Sequence, residues 1–230
     1  MFDSASHDEI PASLPAPDSS EDEYIEYWLH ENKTRVATTI HDFGYSLLTE
    51  PGVFSPQKSL THSSAIVVEN LPSLAGKTVL DIGTGTGVLA IAALRQQAAM
   101  VVATDIEDAA LKLAYQNFQQ NGVADKVQLI RSDLLQQVSG QFDLIIANLP
   151  LIGKAWGESD QAIAAMWERL FATAPRHLAP QGRMYFTLAS FADEARILDI
   201  ALEAKQRLDV IATAQKFGIS WTLYATTANN

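Results

Sequence analysis

Three glycines at alternate positions, Gly83, Gly85 and Gly87, sit inside VLDIGTGTGVLAIAAL, residues 79–94, between an apolar run and a small-residue-rich helical pattern. A residue without a side chain lets a bound molecule lie against the main chain and accepts backbone angles that others resist. Three acids and an amide recur at comparable places. Asp81 precedes the glycines, Asp105 stands in VVATDIED, Asp133 in LIRSDLL, and Asn148 with Pro150 in LIIANLPLI. A carboxylate can accept both hydroxyls of a vicinal diol, and a side-chain oxygen can accept from an exocyclic amine. Local roles compete with these. Asp105 could cap the helix that follows it, Asp133 could be a turn acid, and Asp81 could tie down the glycine loop instead of touching a ligand. The spacing Gly-x-Gly-x-Gly departs from the G-x-G-x-x-G that seats a pyrophosphate on a helix N-terminus.

These residues need elements to bring them together. Short β-rich runs predict strands near 78–82, 100–104, 127–131, 142–147 and 183–188; longer amphipathic ones predict helices near 87–97, 107–121, 160–178 and 191–205. Such alternation implies a parallel sheet covered on both faces, and ligands of open α/β sheets bind beyond the carboxyl ends of the strands. The acids, glycines and Asn148 all fall at such ends. The last segment, QRLDVIATAQKFGISWTLYATTA, has two β-rich runs meeting near 216–218, which predicts an antiparallel hairpin finishing the sheet. Upstream, Tyr24, Tyr27, Trp28, Val36, Ile40, Phe43 and Leu47 recur at broadly helical intervals, predicting one or two amphipathic helices. A loop with Pro51, Gly52 and Pro56 follows, then a short helix in SSAIVVENLPSLAGK.

With 230 residues and 47% hydrophobic content, the chain suits one α/β domain with small additions. It divides into an acidic mobile tail (1–23), a helical N-terminal extension with a covering loop (24–72) and the main domain (73–230). The net charge is −11, and residues 1–23 carry seven acids without Lys or Arg. That composition buries too little apolar surface to order a segment. The acidity argues against an extended nucleic-acid surface, which depends on Lys and Arg meeting phosphates. The absence of cysteine removes thiolate chemistry, and five histidines without ligand-like spacing predict no metal. No apolar run is long enough to span a bilayer and the first residues lack a secretion signal, so a soluble, cytoplasmic protein is expected.

The ordered set VLDIGTGTG, an acid at the next strand end, RSD and ANLPL, over residues 78–152, resembles the Rossmann-like S-adenosylmethionine-dependent methyltransferases. The resemblance implies a seven-stranded sheet, mostly parallel with an antiparallel C-terminal hairpin, helices on both faces and a helical N-terminal extension. It implies a cofactor site at Asp81, Gly83, Gly85, Gly87, Asp105, Ile106, Ser132, Asp133 and Asn148. The glycine loop would pass beneath the methionine and ribose, Asp105 would bind the ribose hydroxyls, and Asp133 the adenine amine. NLPL is similar to the Asn-Pro-Pro-Tyr or Asn-Leu-Pro-Tyr motif of enzymes methylating nitrogen of adenine, guanine or glutamine, which implies catalytic roles for Asn148 and Pro150. Leu149 and Leu151 depart from the pattern, and loss of the aromatic puts a planar acceptor in doubt; Trp156 is a candidate replacement. Ribosomal-protein methyltransferases also begin this motif with Asn and lack the aromatic. PGVFSP resembles a segment preceding the cofactor domain in the "small domain" methyltransferases, implying that Phe54 covers cofactor or substrate, with Thr61 and His62 nearby. The expected reaction is methyl transfer from S-adenosylmethionine to a nitrogen of a protein, RNA or small molecule. A catalytically silent binding module of the same fold and an NAD-dependent oxidoreductase remain as alternatives.

Overall fold

The computed structural model describes residues 20–228, apart from the side chains of Lys33, Ala155, Trp156 and Ala228. The expectation for the acidic segment up to residue 19 lies outside the described residues. Its assigned end at residue 23 does not hold, because helix α1 (Glu21–Thr34) begins inside it. Ser20 and Glu23 form a reciprocal capping box, and Glu21, Asp22 and Glu23 occupy the first turn, where acids complement the helix dipole.

Of the one or two helices expected over Tyr24 to Leu47, only α1 forms; the chain then makes a small hairpin of β1 (Thr38–Ile40) and β2 (Leu47–Thr49), with Ile40 opposite Leu47. Its β-branched Val36, Thr38, Thr39 and Ile40 favour extended backbone, and Gly44 turns the chain at φ 76°. The extension is therefore mixed α and β. Helix α2 (Ser63–Glu69) follows a covering loop.

The remaining elements alternate as expected: β3 (Thr78–Ile82), α3 (Val88–Arg95), β4 (Met100–Asp105), α4 (Asp108–Gln120), β5 (Val127–Arg131), β6 (Phe142–Ala147), α5 (Asp160–Thr173), β7 (Leu178–Ala189), α6 (Glu194–Glu203), β8 (Gln206–Lys216) and β9 (Ile219–Ala228). The seven-stranded sheet runs β5-β4-β3-β6-β7-β9-β8, with β9 antiparallel to both neighbours and the other pairs parallel. Successive strand residues feed opposite layers of core. Val79, Val101 and Ile146 pack with α2, α3 and the Ala114 and Phe118 side of α4; Leu80, Val102 and Ile145 pack with α5 and α6. Both faces being covered explains the continuous apolar character of the central strands. The chain leaves β3 toward β4 and β5, then returns to place β6 on the other side of β3. The crevice thus opens between the carboxyl ends of β3 and β6.

Candidate functional site

A cavity of about 560 Å³ lies at that crevice, lined from both sides of the strand-order reversal. Gly83 and Gly85 come from the turn after β3, Asp105, Ile106 and Glu107 from the end of β4, Ser132 and Asp133 from the end of β5, and Asn148 to Ile152 from the end of β6.

The glycine turn is built from three left-handed residues with different duties. Gly83, Gly85 and Gly87 have φ of 68°, 53° and 82°. A Cβ on Gly85 would meet only Val53, at 4.0 Å, so this residue leaves an open floor to the cavity. One on Gly83 would stand 2.7 Å from the Leu149 side chain. Gly87 does not line the cavity, contrary to its expected cofactor role: its Cβ would fall 2.5 Å from Phe118, so it lets α3 approach α4.

Asp81 does not reach the cofactor place expected for it and takes the competing role of tying down the loop. It is buried away from the cavity, and its Oδ2 accepts a hydrogen bond from Thr84 Oγ1 at 2.7 Å. Burial pushes its pKa up to about 7, against the stabilising Thr84 hydroxyl and with a smaller upward contribution from Asp105. It anchors the loop from behind. Asp105 faces the cavity and receives the Gly85 amide at 2.9 Å on Oδ2 and the Glu107 amide at 3.1 Å on Oδ1. Burial raises its pKa, while those backbone donors oppose the shift. Each oxygen keeps a lone pair for a further donor. Ser132 turns its hydroxyl to Leu134 O at 2.8 Å, and the Asp133 carboxylate meets Arg169 at 2.6 Å and Gln136 at 2.7 Å.

Asn148 is held by partners that its sequence surroundings do not reveal. Its Nδ2 donates to Ser63 Oγ at 3.2 Å and Ser64 Oγ at 3.1 Å, at the start of α2, and its Oδ1 accepts from Thr187 Oγ1 at 2.7 Å, from β7. The amide orientation follows from this network, and one Oδ1 lone pair is left over. Pro150 and Leu151 line the cavity beside it, as do Thr61 and Phe54; His62 does not. The Trp156 side chain lies outside the described residues. Asn117 went unnoticed in sequence as well. Fully buried, it bonds both backbone groups of Leu48 and the Thr86 carbonyl, joining hairpin, α4 and glycine turn. An asparagine within an amphipathic helix carries no local signal of such a role.

The arrangement suits an adenosine-bearing cofactor. Gly85 offers bare main chain, Asp105 a carboxylate with capacity for a diol, and the β5 end a second carboxylate, and Asn148 lines the same cavity. Among the described residues no helix is long and apolar enough to cross a membrane.

Comparison with known proteins places these features among methyltransferases. The family model "Methyltransferase small domain" matches residues 44–220. Over 74 residues the chain is 51% identical to ribosomal protein L11 methyltransferase of Pelotomaculum thermopropionicum, covering 32% of this chain and 24% of that protein. Over 180 residues it is 33% identical to ribosomal RNA small subunit methyltransferase C of Chromohalobacter salexigens, covering 76% of this chain and 50% of that protein. The matches thus span between a quarter and half of these relatives' lengths. A 16S rRNA methyltransferase from T. thermophilus, solved with AdoMet and guanosine, superposes with a TM-score of 0.65 at 21% identity, covering 84% of this chain and 50% of that one.

Proposed function

Because this chain belongs to the methyltransferase small domain family, we propose that it transfers a methyl group from S-adenosylmethionine to a nitrogen held at Asn148. The observation carrying this reading is the clamped amide: Thr187, Ser63 and Ser64 hold Asn148 so that one Oδ1 lone pair remains, in the same cavity as Gly85 and Asp105. When bound, S-adenosylmethionine supplies an electrophilic methyl carbon on a sulfonium. Asp105 is assigned the ribose hydroxyls, Asp133 the adenine amine with Arg169 holding its carboxylate, and the turn at Gly83 to Thr86 the floor. The family match favours this cofactor over a dinucleotide, as does the glycine spacing.

The protein's own work is alignment. Asn148 Oδ1 accepts an N–H of the acceptor, directing the nitrogen lone pair toward the methyl position, and Pro150 lines the cavity beside it. Holding two reactants in line contributes several kcal/mol in such reactions, up to roughly 7–11 kcal/mol in the best intramolecular cases. The direct test is transfer of radiolabelled methyl into fractions of a cell extract by wild type and Asn148→Ala. Retained S-adenosylhomocysteine binding with most label transfer lost is the expected result; unaltered turnover in Asn148→Ala would remove Asn148 from the mechanism.

A further inference from the structure

Beyond Asn148 the cavity is walled by aromatic rings from separated parts of the chain. Tyr24 and Trp28 come from α1, Phe54 from the loop after β2, Phe191 from the turn after β7, and Trp221 from β9. The rings brace one another. Trp28 and Phe54 have centroids 5.7 Å apart, Tyr24 stacks on Phe191 at 6.2 Å, and Phe191 meets Trp221 edge-on at 5.7 Å.

Helix α1 is fastened over this chamber along its length. At its start Glu21 accepts from the Ser190 hydroxyl at 2.5 Å; one turn on, the Tyr24 hydroxyl donates to Leu60 O at 2.6 Å. Toward its end Asn32 Oδ1 accepts the Ser55 amide at 3.4 Å, and Arg35 donates to Val53 O at 3.4 Å. Tyr24 and Tyr27 are buried by this docking. Displacing the helix to enlarge the opening would return that apolar face to water, a cost that a large acceptor meets and a small one avoids.

The adjoining surface is also charged in one sense. A second depression, lined by Asp22, Glu26, Lys154 and Asp160, shares Ile25 and Ile152 with the main cavity and so lies beside it. Three acids against one base oppose a phosphate-bearing acceptor and admit a neutral or cationic one.

We propose that the acceptor is a small molecule, a flat and largely apolar ring system carrying an amino group, bound beneath α1 between these aromatic walls. Offset and edge-to-face contacts with Trp28, Phe54 and Phe191 would orient its plane, a role that Leu149 and Leu151 cannot fill. The amine nitrogen forms the new bond to the methyl carbon as the carbon–sulfur bond breaks, its electron pair returns to sulfur, and the excess N–H proton passes to water. This proposal rests on the methyltransferase reading above.

The test supplies radiolabelled S-adenosylmethionine and the full chain with two fractions of the same extract: a protein- and RNA-free small-molecule filtrate, and the retained macromolecules including ribosomes. Label entering the filtrate alone is expected. The labelled amine, once purified, should bind the S-adenosylhomocysteine complex by calorimetry, with Trp28→Ala weakening that binding at least tenfold while S-adenosylhomocysteine affinity holds. It should also slow hydrogen exchange in α1. Label entering only protein or RNA would overturn the small-molecule acceptor and leave methyl transfer standing. No label in either fraction, with S-adenosylhomocysteine bound, would overturn both. Undiminished amine binding in Trp28→Ala would overturn the aromatic wall.

Discussion

The Asn148 amide is held in its direction by Ser63 and Ser64 at the nitrogen and by Thr187 at the oxygen. Thr187→Val preserves shape but removes the donor at 2.7 Å, leaving the amide held from its nitrogen side alone. We expect kcat to fall at least about tenfold with unchanged S-adenosylhomocysteine affinity, at a stability cost of about 0.5–1.5 kcal/mol for the lost hydrogen bond. Equal loss of kcat and cofactor affinity would mark Thr187 as a general support of the pocket. Asp81 makes a different prediction, in pH. Its folded pKa is raised from 3.8 to about 7 by burial. Over that window the folded protein keeps a proton that the unfolded chain has released, so Asp81 lowers stability progressively as pH rises from about 4 to about 7. Asp105, shifted in the same direction, adds to this slope. Asp81→Asn should flatten the dependence of Tm on pH across this range; an unchanged slope would show that Asp81 is ionised throughout.

At the scale of elements, neighbouring glycines in one turn answer to different partners. Gly87→Ala drives a methyl into the buried Phe118 ring at 2.5 Å and separates α3 from α4. It should cost more than about 2 kcal/mol, from overpacking and left-handed strain together. Gly85→Ala meets no close neighbour, so its stability cost should stay near the roughly 1–2 kcal/mol of left-handed strain alone. Its methyl occupies the cavity floor, and S-adenosylhomocysteine affinity should drop at least about tenfold. Paired denaturation and calorimetry on the two variants separate these roles. Equal effects of both substitutions on both measurements would contradict the division.

The whole molecule is a sheet with its switch point covered by an N-terminal helix, a hairpin and a loop. Deleting residues 1–34 removes α1 and exposes surface that now packs on Tyr24 and Tyr27. Each buried ring contributes roughly 1.5–3 kcal/mol, partly offset by the entropy of ordering the helix, so Tm should fall by roughly 5–10 °C. Cofactor affinity should persist, since Asp105, Gly85 and Asp133 belong to the sheet rim. Loss of cofactor binding on deletion would instead make α1 part of the cofactor site.

By itself the sequence determined the central sheet. The strands at 78–82, 127–131 and 142–147 match their expected bounds, and the helices differ only at their ends. Apolar periodicity and turn chemistry are local, so they survive in a linear reading. The same holds for the placing of Gly83, Gly85, Asp105, Asp133 and Asn148 at strand ends. Tertiary structure decided which of these face the cavity. Gly85 and Gly87 look alike in the chain, but only Gly87 has Phe118 behind it; Asp81 and Asp105 end adjacent strands, but only Asp105 points outward to the cavity. The residues 36–47 were misread because β-branched residues spaced at helical intervals satisfy either pattern until Leu48 finds Asn117, 69 positions away. The clamp on Asn148 joins residues 84 and 39 positions distant. Hydrogen bonds act over about 3 Å, and only the crossing of strands and helices brings such partners within that reach.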